Sequence, residues 1–357
     1  MTPHDLHAVA DQLQRAALAA VDPCAAVRRH VRREGDDLLI EGRRYALTEY
    51  DRIYIAGGGK AAIAMAAAAA HMVGHQLAGG VVVTKYGHGE TASLPAAIDL
   101  IEARHPVPDA NAVRGAQALV DVVGGATERD LILCLISGGG SALLTLPTAG
   151  HTLAQVQALT DALLRSGATI NQINAVRKHL SQIKGGHLAR RAAPASTVAL
   201  ILSDVVGDPL DVIASGPTVP DTSTVADAQA VLTRYGIAAD VHFQETPKPG
   251  DPVFERVQNV VVGSNRLAAQ AAVEQARRLG FNTLLLSTYI EGEAREVAKV
   301  ILRRKYGRIV FFTTVARPLR LEGESAYAAS KAALESLTQV LSRELAPNGI
   351  TVNALGP

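Results

Sequence analysis

Three short glycine-rich clusters in this sequence have the composition of an anion-binding site. They read AGGGKAA at 56–62, SGGGSALL at 137–144 and GSN at 263–265. Glycine lets the backbone approach a ligand closely, and the free N–H groups of a following helix attract negative charge. A lysine in the first cluster adds a mobile positive charge, so these residue types predict a phosphate site. The candidate residues are Gly57, Gly58, Gly59, Lys60, Ser137, Gly138, Gly139, Gly140, Ser141 and Asn265.

The first cluster does not complete either of the two common nucleotide-binding fingerprints. A P-loop requires Ser or Thr after the lysine, and Ala61 stands there. The pattern Gly-x-Gly-x-x-Ala does fit Gly57, Gly59 and Ala62, but the next predicted strand ends in Thr-Lys-Tyr, without a carboxylate for a ribose. Tight packing explains one such turn as well as a ligand does, whereas three turns in one α/β chain favour a ligand.

Polar residues recur at helical spacing in the segment INAVRKHLSQIKGGHLA, at 173–189. Asn174, Arg177 or Lys178, Ser181, and Lys184 or Gly185 recur at helical spacing and so fall on one face of a helix. One interpretation is a solvated helix face, since charged faces are usually exposed. The other is that the two adjacent basic residues clamp a carboxylate or a phosphate.

Two aspartates follow a strand in the segment SDVVGDPLDVIASGPTVPD, at 203–221. Asp204 and Asp208 suit Mg²⁺, which takes one or two carboxylates together with phosphate oxygens. Turn capping is the alternative, because Asp and Pro favour turns. In RHPVPDAN, Asp109 is placed to cap a helix and His105 is most simply structural.

Apolar strands alternate with segments of helical length, which predicts an α/β fold with a doubly wound, mostly parallel, Rossmann-like sheet and helices on both faces. Ligands should then lie at the carboxyl ends of the strands. The predicted strands are 52–59, 79–87, 130–140, 197–208, 257–265 and 282–288. The predicted helices are 60–73, 110–124, 152–167, 169–192, 223–235, 265–279 and 291–304.

The composition of the 357-residue chain narrows its function classes. Apolar residues make up 48% and charged residues 19%, which is typical of a globular protein. A formal net charge of +1 and the lack of a basic stripe argue against nucleic acid as the main partner. Two cysteines do not suggest a disulfide framework or a zinc site. Without a signal peptide or an apolar run of about 20 residues, we expect a soluble cytoplasmic protein and no membrane partner.

Eight motifs in this order resemble the N-terminal domain of the glycerate 2-kinase family that carries a C-terminal MOFRL domain. Members of that family are often labelled hydroxypyruvate reductase. The resemblance covers about residues 5–300 and rests on AGGGKAA, TKYGH, HPVPD, LISGGGSALL, INAVRKHLSQIKGGHLA, LSDVVGDPLDVIASGPTVPD, VVGSN and GEAREVAKV. It implies ATP-dependent phosphorylation of D-glycerate at its 2-hydroxyl, with Mg²⁺, to give 2-phosphoglycerate.

The same resemblance implies roles for individual residues. Lys60 matches the family's catalytic lysine and would neutralise the transferred phosphate, while the loop from Ser137 to Ser141 would cradle phosphate through its N–H groups. The substrate carboxylate would be held by Arg177 and Lys178. A metal ion or the reacting hydroxyl would be held by Asp204 and Asp208.

The C-terminal segment 307–357 is similar to a short-chain dehydrogenase from its catalytic strand onward. Tyr327 and Lys331 in GESAYAASKAALESL have the Tyr-x-x-x-Lys spacing of that family. The dehydrogenase's glycine-rich turn and its Asn-Asn-Ala-Gly segment are absent, which argues against NAD(P) and makes the pair a relic. The MOFRL segments Gly-Gly-Glu-Thr-Thr and Gly-Gly-Arg-Asn-Gln are absent too.

We therefore expect a glycerate kinase N-terminal domain at 1–300 and a dehydrogenase-like fragment at 301–357, a strand–helix–strand graft in place of the MOFRL domain. Its helix carries an apolar stripe that favours a homo-oligomer if it is not buried. Three hypotheses follow. The chain is a glycerate 2-kinase, active or impaired by the loss of the MOFRL domain; an NAD(P)-dependent reductase of hydroxypyruvate or another carbonyl; or a chimera that binds nucleotide without catalysis.

Overall fold

The structure is a computed structural model that describes residues 3–89, 94–283, 285, 288, 307–312, 336, 338–348 and 350–355. The chain separates into two compact units, Met1–Thr288 and Tyr289–Pro357. The predicted boundary between residues 300 and 301, the predicted helix at 291–304, and the pair Tyr327 and Lys331 lie outside the described residues.

The first unit contains nine described strands in two sheets. They are β1 (Val31–Glu34), β2 (Asp37–Ile40), β3 (Arg43–Ala46), β4 (Arg52–Gly58), β5 (Leu77–Lys85), β6 (Ile98–Ala103), β7 (Asp130–Ser137), β8 (Ser196–Leu202) and β9 (Val257–Gly263). The first three form a small antiparallel sheet. The other six form one parallel sheet in the order β6-β5-β4-β7-β8-β9.

The strand order of the parallel sheet defines where a ligand should bind. From β4 the chain winds outward through β5 to β6, and then returns to the other side of β4 to continue through β7, β8 and β9. This is the doubly wound Rossmann order, and its switch point lies between β4 and β7. Every residue of β7 is buried, as a strand covered on both faces requires. The predicted fold class is confirmed.

Ten helices are described in the first unit. They are α1 (Pro3–Ala20), α2 (Pro23–His30), α3 (Ala62–Val73), α4 (Ala110–Gly124), α5 (Gly140–Leu143), α6 (Leu153–Arg165), α7 (Ile170–His179), α8 (His187–Ala192), α9 (Val225–Arg234) and α10 (Asn265–Arg278). One apolar core joins α2 and α3 to one face of the sheet, and a second joins α4 and α8 to the other. A third cluster packs α6, α7 and α9 together.

Two predicted elements differ from the structure. The single helix predicted at 169–192 is two helices, because Gly185 and Gly186 have φ values of 59° and 84° and turn the chain between them. Their N–H groups bond instead to the carbonyls of Ser215 and Gly216. The strand predicted at 282–288 is wrong at its described residues, which form no strand, and we have no physical account of that difference.

The second unit is described at its two strands and at part of the segment between them. β10 (Gly307–Phe312) pairs in parallel with β11 (Ile350–Leu355), and residues 338–345 are helical. Leu341, Leu345, Ile350 and Val352 are buried within this part of the chain. No helix among the described residues of either unit is long and apolar enough to cross a membrane.

Candidate active site

The first two glycine clusters lie side by side at the switch point of the sheet. Gly57 of β4 pairs with Leu135 of β7, and a Cβ on this glycine would lie 2.1 Å from the Leu135 carbonyl oxygen. At Gly58 a Cβ would lie 2.7 Å from Cδ2 of Leu144. Gly57 and Gly58 are therefore required for close packing, and this packing brings the two loops together.

Hydrogen bonds join the two loops. The Lys60 N–H donates to the Gly138 carbonyl at 2.9 Å, and the Ala61 N–H donates to the Ser137 hydroxyl at 3.1 Å. Gly59, with φ of 144°, passes so close to Ser137 that a Cβ would lie 2.1 Å from Oγ. The Ser137 hydroxyl thus positions the Lys60 loop, while the backbone from 138 to 140 carries the candidate phosphate contacts.

Three chemically active side chains converge on Gly138 and Gly139. A Cβ on Gly139 would lie 3.2 Å from His105 Nε2 and 3.4 Å from Lys60 Cγ. A Cβ on Gly138 would lie 2.5 Å from Asp204 Oδ2. A cation, an imidazole and a carboxylate therefore surround one short stretch of glycine backbone at the carboxyl ends of neighbouring strands.

The charge balance of this cluster keeps His105 neutral. The pKa of the imidazole is lowered to about 4, chiefly by burial and also by Lys60 and Lys85, while Asp204 acts in the opposite direction. Within the described part of the chain, the ring nitrogens of His105 form no hydrogen bond and Lys60 forms no salt bridge. The site thus has a positive charge and an imidazole free to meet a ligand.

A second polar cluster connects α7 to the glycine loop before α5. Ser141 Oγ lies 2.8 Å from Ser215 Oγ, which donates to Asn174 Oδ1 at 3.1 Å. Arg177 Nη2 donates to the Ser141 carbonyl at 2.9 Å, and burial lowers the pKa of its guanidinium. Ala214 and Ser215 have φ of 50° and 62°, a left-handed backbone that costs these residues free energy.

The interpretation of the α7 segment as a solvated face is wrong. Asn174, Lys178, Ser181 and Lys184 are each less than 5% exposed. The Lys184 ammonium donates to the Leu144 carbonyl at 2.6 Å, and burial together with Arg177 holds the pKa of this amine well below its usual range. This polar face is directed into the protein, where it supports the loops of the site.

Lys178, a predicted substrate ligand, is engaged inside the fold. Its ammonium lies 3.1 Å from Asp221 Oδ1 and 3.4 Å from Asp211 Oδ2. Burial raises the pKa of Asp221, but Lys178 and Ser223 outweigh it, and the pKa lies below its usual value. The geometry places Lys178 in a buried ion pair. Of the two adjacent basic residues, Arg177 is therefore the one that contacts a glycine loop.

Asp204 and Asp208 lie on the loop after β8, next to the third glycine cluster. Asn265 Nδ2 donates to the Asp204 carbonyl at 3.2 Å, which positions this loop against the start of α10. Asp208 has φ of 54°, and its Oδ1 is buried without a hydrogen-bond partner. The described residues contain no group of three or more His, Cys, Asp or Glu side chains that could enclose a metal ion.

These observations fit Mg²⁺ held by few protein ligands. Mg²⁺ is usually bound through one or two carboxylates together with water and substrate phosphate oxygens, so a protein cage is not required. The exposed Asp204 carboxylate and the unpartnered Asp208 oxygen are suitable donors. A cation bound at this loop would give the buried Asp208 oxygen the partner that it lacks.

His105 and Ser215 are the candidate site residues that sequence reasoning missed. The sequence favours a structural role for His105, because no sequence pattern shows that β6 places this residue beside Lys60. Ser215 lay within a quoted motif, yet its contact with Ser141 depends on the left-handed backbone at 214–216. The available signal was that both residues lie in segments that carry the family resemblance, HPVPD and LSDVVGDPLDVIASGPTVPD.

The fold and the site together describe an α/β protein whose glycine loops meet at the switch point of its sheet, and comparison with known proteins gives its family. Residues 9–245 match the family described as "Domain of unknown function (DUF4147)". The D-glycerate 2-kinase of Thermotoga maritima is 45% identical over 256 residues, which cover 70% of this chain and 60% of that protein. The glycerate 2-kinase of Pyrococcus horikoshii is 38% identical, covering 84% of this chain and 69% of that protein.

A solved structure agrees with this assignment. The crystal structure of a T. maritima glycerate kinase is 33% identical, with a TM-score of 0.68, and the match covers 99% of this chain and 75% of that one. The chain therefore belongs to the glycerate 2-kinase family, and the resemblance seen in its motifs is confirmed. It spans 60% of the length of the T. maritima D-glycerate 2-kinase.

The dehydrogenase resemblance of the C-terminal segment is also confirmed. Residues 257–357 match the short chain dehydrogenase family. This match begins 50 residues before the predicted start at 307 and includes β9 and α10. Those two elements belong to the six-stranded sheet unit, so the two family matches and the two compact units divide the chain at different positions.

Proposed function

We propose that this chain is an ATP-dependent glycerate 2-kinase that transfers a phosphoryl group to the 2-hydroxyl of D-glycerate. The convergence of Lys60, His105 and Asp204 on Gly138 and Gly139, at the switch point of a doubly wound sheet, carries the proposal. Phosphoryl transfer needs positioning and charge neutralisation more than covalent chemistry from the protein. A cation beside free backbone N–H groups supplies both.

The residues that converge on the 138–140 loop have different roles in this mechanism. Lys60 neutralises the charge on the transferred phosphoryl group, and the N–H groups of the 138–140 loop bind its oxygens. Neutral His105 forms a hydrogen bond to the reacting groups without adding charge. Asp204 and Asp208 would hold Mg²⁺, which when bound would supply positive charge to neutralise phosphate oxygens.

Arg177 is proposed to make two contacts, one with the Ser141 loop and one with the substrate. One of its guanidinium nitrogens is held by the Ser141 carbonyl, which fixes the plane of the group. Its remaining N–H donors are suited to the substrate carboxylate. Asn174 positions Ser215 and, through it, the Ser141 hydroxyl.

Identification of the product tests the substrate and the position of transfer. We expect ³¹P NMR of a reaction with Mg-ATP and D-glycerate to show 2-phosphoglycerate accumulating together with ADP. L-glycerate and glycerol serve as controls, because one reverses the stereocentre and the other lacks the carboxylate. Accumulation of 3-phosphoglycerate, or equal rates with glycerol, would contradict the proposal.

The reductase alternative makes a different prediction at the end of β5. A dinucleotide site places a carboxylate near this position for the ribose hydroxyls, and here the strand ends at Lys85. Lys85 also contributes to the positive field at His105, which suits phosphate. Oxidation of NADH or NADPH with hydroxypyruvate, at a rate above that without the protein, would support the reductase instead.

A further inference from the structure

A cavity of about 330 Å³ lies beside α8 and outside the candidate active site. The residues that line it are Gln182, His187, Arg190, Arg191 and Gln244. Two guanidinium groups, two carboxamides and an imidazole therefore surround the cavity, and no acidic residue is among its described lining residues. This donor set is suited to an anion.

Arg191 presents a positioned but unneutralised charge to this cavity. Its Nη2 donates to Gln182 Oε1 at 2.8 Å, and the Gln182 amide in turn donates to the Pro147 carbonyl at 2.7 Å. Within the described part of the chain, Arg191 forms no salt bridge. A neutral, anchored glutamine thus holds the guanidinium in place while its charge stays available.

Two further lining residues have donors to spare. Arg190 has one carboxylate partner among the described residues, Asp251 at 3.5 Å, which is a long contact. The backbone N–H of Gln244 donates to the His179 carbonyl at 2.8 Å, which fixes this residue at the end of α7. The carboxamide of Gln244 forms no hydrogen bond with the residues that the structure describes.

The His187 side chain is an independent indication of a ligand. It is only 5% exposed, and its Nε2 is buried without a hydrogen-bond partner. The pKa of this imidazole is lowered to about 4, chiefly by burial and also by Arg190, His179 and Arg191, while Asp221 acts in the opposite direction. Buried polar atoms without a partner are uncommon, and each calls for an explanation.

We propose that this cavity binds the phosphate group of a small phosphorylated molecule, with the two arginines as its charged ligands and Gln244 as a neutral donor. Arginine pairs with phosphate through parallel N–H donors, and the volume is within the range of small-molecule sites. None of the five lining side chains forms a hydrogen bond to the three glycine clusters in the described chain. None of the five lining residues belongs to the proposed kinase centre, and the proposal does not depend on that function.

Calorimetric titration of inorganic phosphate into the full chain tests the proposal. Lys60→Ala is the background, because it weakens phosphate binding at the glycine loops. In that background we expect Arg191→Gln to raise the phosphate Kd about tenfold, through loss of a charged hydrogen bond. Gln244→Glu places a negative charge in the cavity and should abolish binding. Arg165→Gln, an exposed arginine paired with Asp161, is the matched control and should change nothing.

Three results would overturn the proposal. They are no phosphate binding in the Lys60→Ala background, a Kd unchanged by Arg191→Gln and Gln244→Glu, and binding of acetate as tightly as phosphate at equal ionic strength. The last result would assign the cavity to a carboxylate instead. Circular dichroism checks that the variants fold, and Gln244→Glu, at an exposed residue, decides the matter if Arg191→Gln does not fold.

Discussion

His105 shows how far surroundings change the chemistry of one residue. With a pKa near 4, its imidazole is neutral at pH 7 and free to form a hydrogen bond beside Lys60. We expect His105→Asn to lower kcat for glycerate-dependent ADP formation about tenfold, equivalent to roughly 1.4 kcal/mol, with little change in ATP affinity. Steady-state kinetics and calorimetry measure the two quantities.

The control for this prediction is His71→Asn, at an exposed position near the end of α3. It should leave both quantities unchanged. If His105→Asn retains the wild-type kcat, or if it weakens ATP binding as much as it lowers kcat, the proposed role of the imidazole is wrong.

Lys178 is a basic residue that was predicted to bind the substrate but that the structure places in a buried ion pair. Its ammonium is buried against Asp221, which is only 1% exposed. Removing one partner of a buried pair leaves the other charge unpaired, so we expect Lys178→Ala to lower the free energy of unfolding by about 3 kcal/mol or more. Urea denaturation measures this loss.

Arg165→Ala removes an exposed i,i+4 pair and should cost about 0.5 kcal/mol or less. A Lys178→Ala variant of near wild-type stability with a strongly raised KM for glycerate would restore the original interpretation, in which Lys178 holds the substrate carboxylate.

At the scale of elements, the loop before α5 requires glycine at position 139 for two separate reasons, its left-handed backbone and the nearness of other side chains. Gly139 and Gly150 have nearly the same φ, 86° and 85°, so alanine strains the backbone equally at both. A Cβ meets His105 and Lys60 only at Gly139, whereas nothing lies within 4 Å at Gly150. We expect both Gly→Ala variants to lose about 1 kcal/mol of stability, and only Gly139→Ala to lose most of its activity.

Thermal unfolding and the ADP assay separate the two effects. Equal activity of Gly139→Ala and Gly150→Ala, at comparable stability, would show that the closeness of Gly139 to His105 and Lys60 has no functional meaning.

The strands also show which parts of the fold the sequence could predict. The buried strands β4, β7 and β8 were predicted because they are nearly continuous apolar runs. The edge strand β6 was missed because it is only partly buried and carries Asp99 and Glu102. The antiparallel strands β1 to β3 were missed because they are four residues long and rich in charge.

At the scale of the whole molecule, buried neutral histidines make stability depend on pH. His187 has a pKa near 4 in the folded protein and near 6.5 when unfolded. The unfolded chain therefore binds the proton more readily, and stability is lost as the pH falls from 6.5 towards 4. We expect this group to account for about 2 kcal/mol between pH 6.5 and about 4.5.

Carboxylates make stability depend on pH in a lower range. The pKa of Glu245 is near 2 in the folded protein and 4.5 when unfolded, so the stabilisation from this carboxylate is lost as the pH falls below 4.5. Urea unfolding at several pH values, in phosphate-free buffer, measures the slope. His187→Gln should flatten it above pH 4.5, whereas His71→Gln should not. An unchanged slope in His187→Gln would contradict the expectation.

The site as a whole was predictable in its parts but not in its geometry. The sequence places the glycine clusters, Lys60, Asp204 and Asn265 after strands of one sheet, and strand order then brings them to one edge. That Lys178 turns inward to Asp221 depends on a residue 43 positions later, and no local pattern shows it. Contacts between distant segments fix such roles, so they emerge only from the fold.

The most direct test of the account is ADP release from Mg-ATP, with and without D-glycerate, by the wild type, Lys60→Ala and the control Lys248→Ala. Lys248 bonds to Glu245 and Ser223 within a loop outside the site. We predict glycerate-dependent ADP release by the wild type and Lys248→Ala that is lost in Lys60→Ala. A folded wild type with no glycerate-dependent release, or full activity in Lys60→Ala, would contradict the central claim.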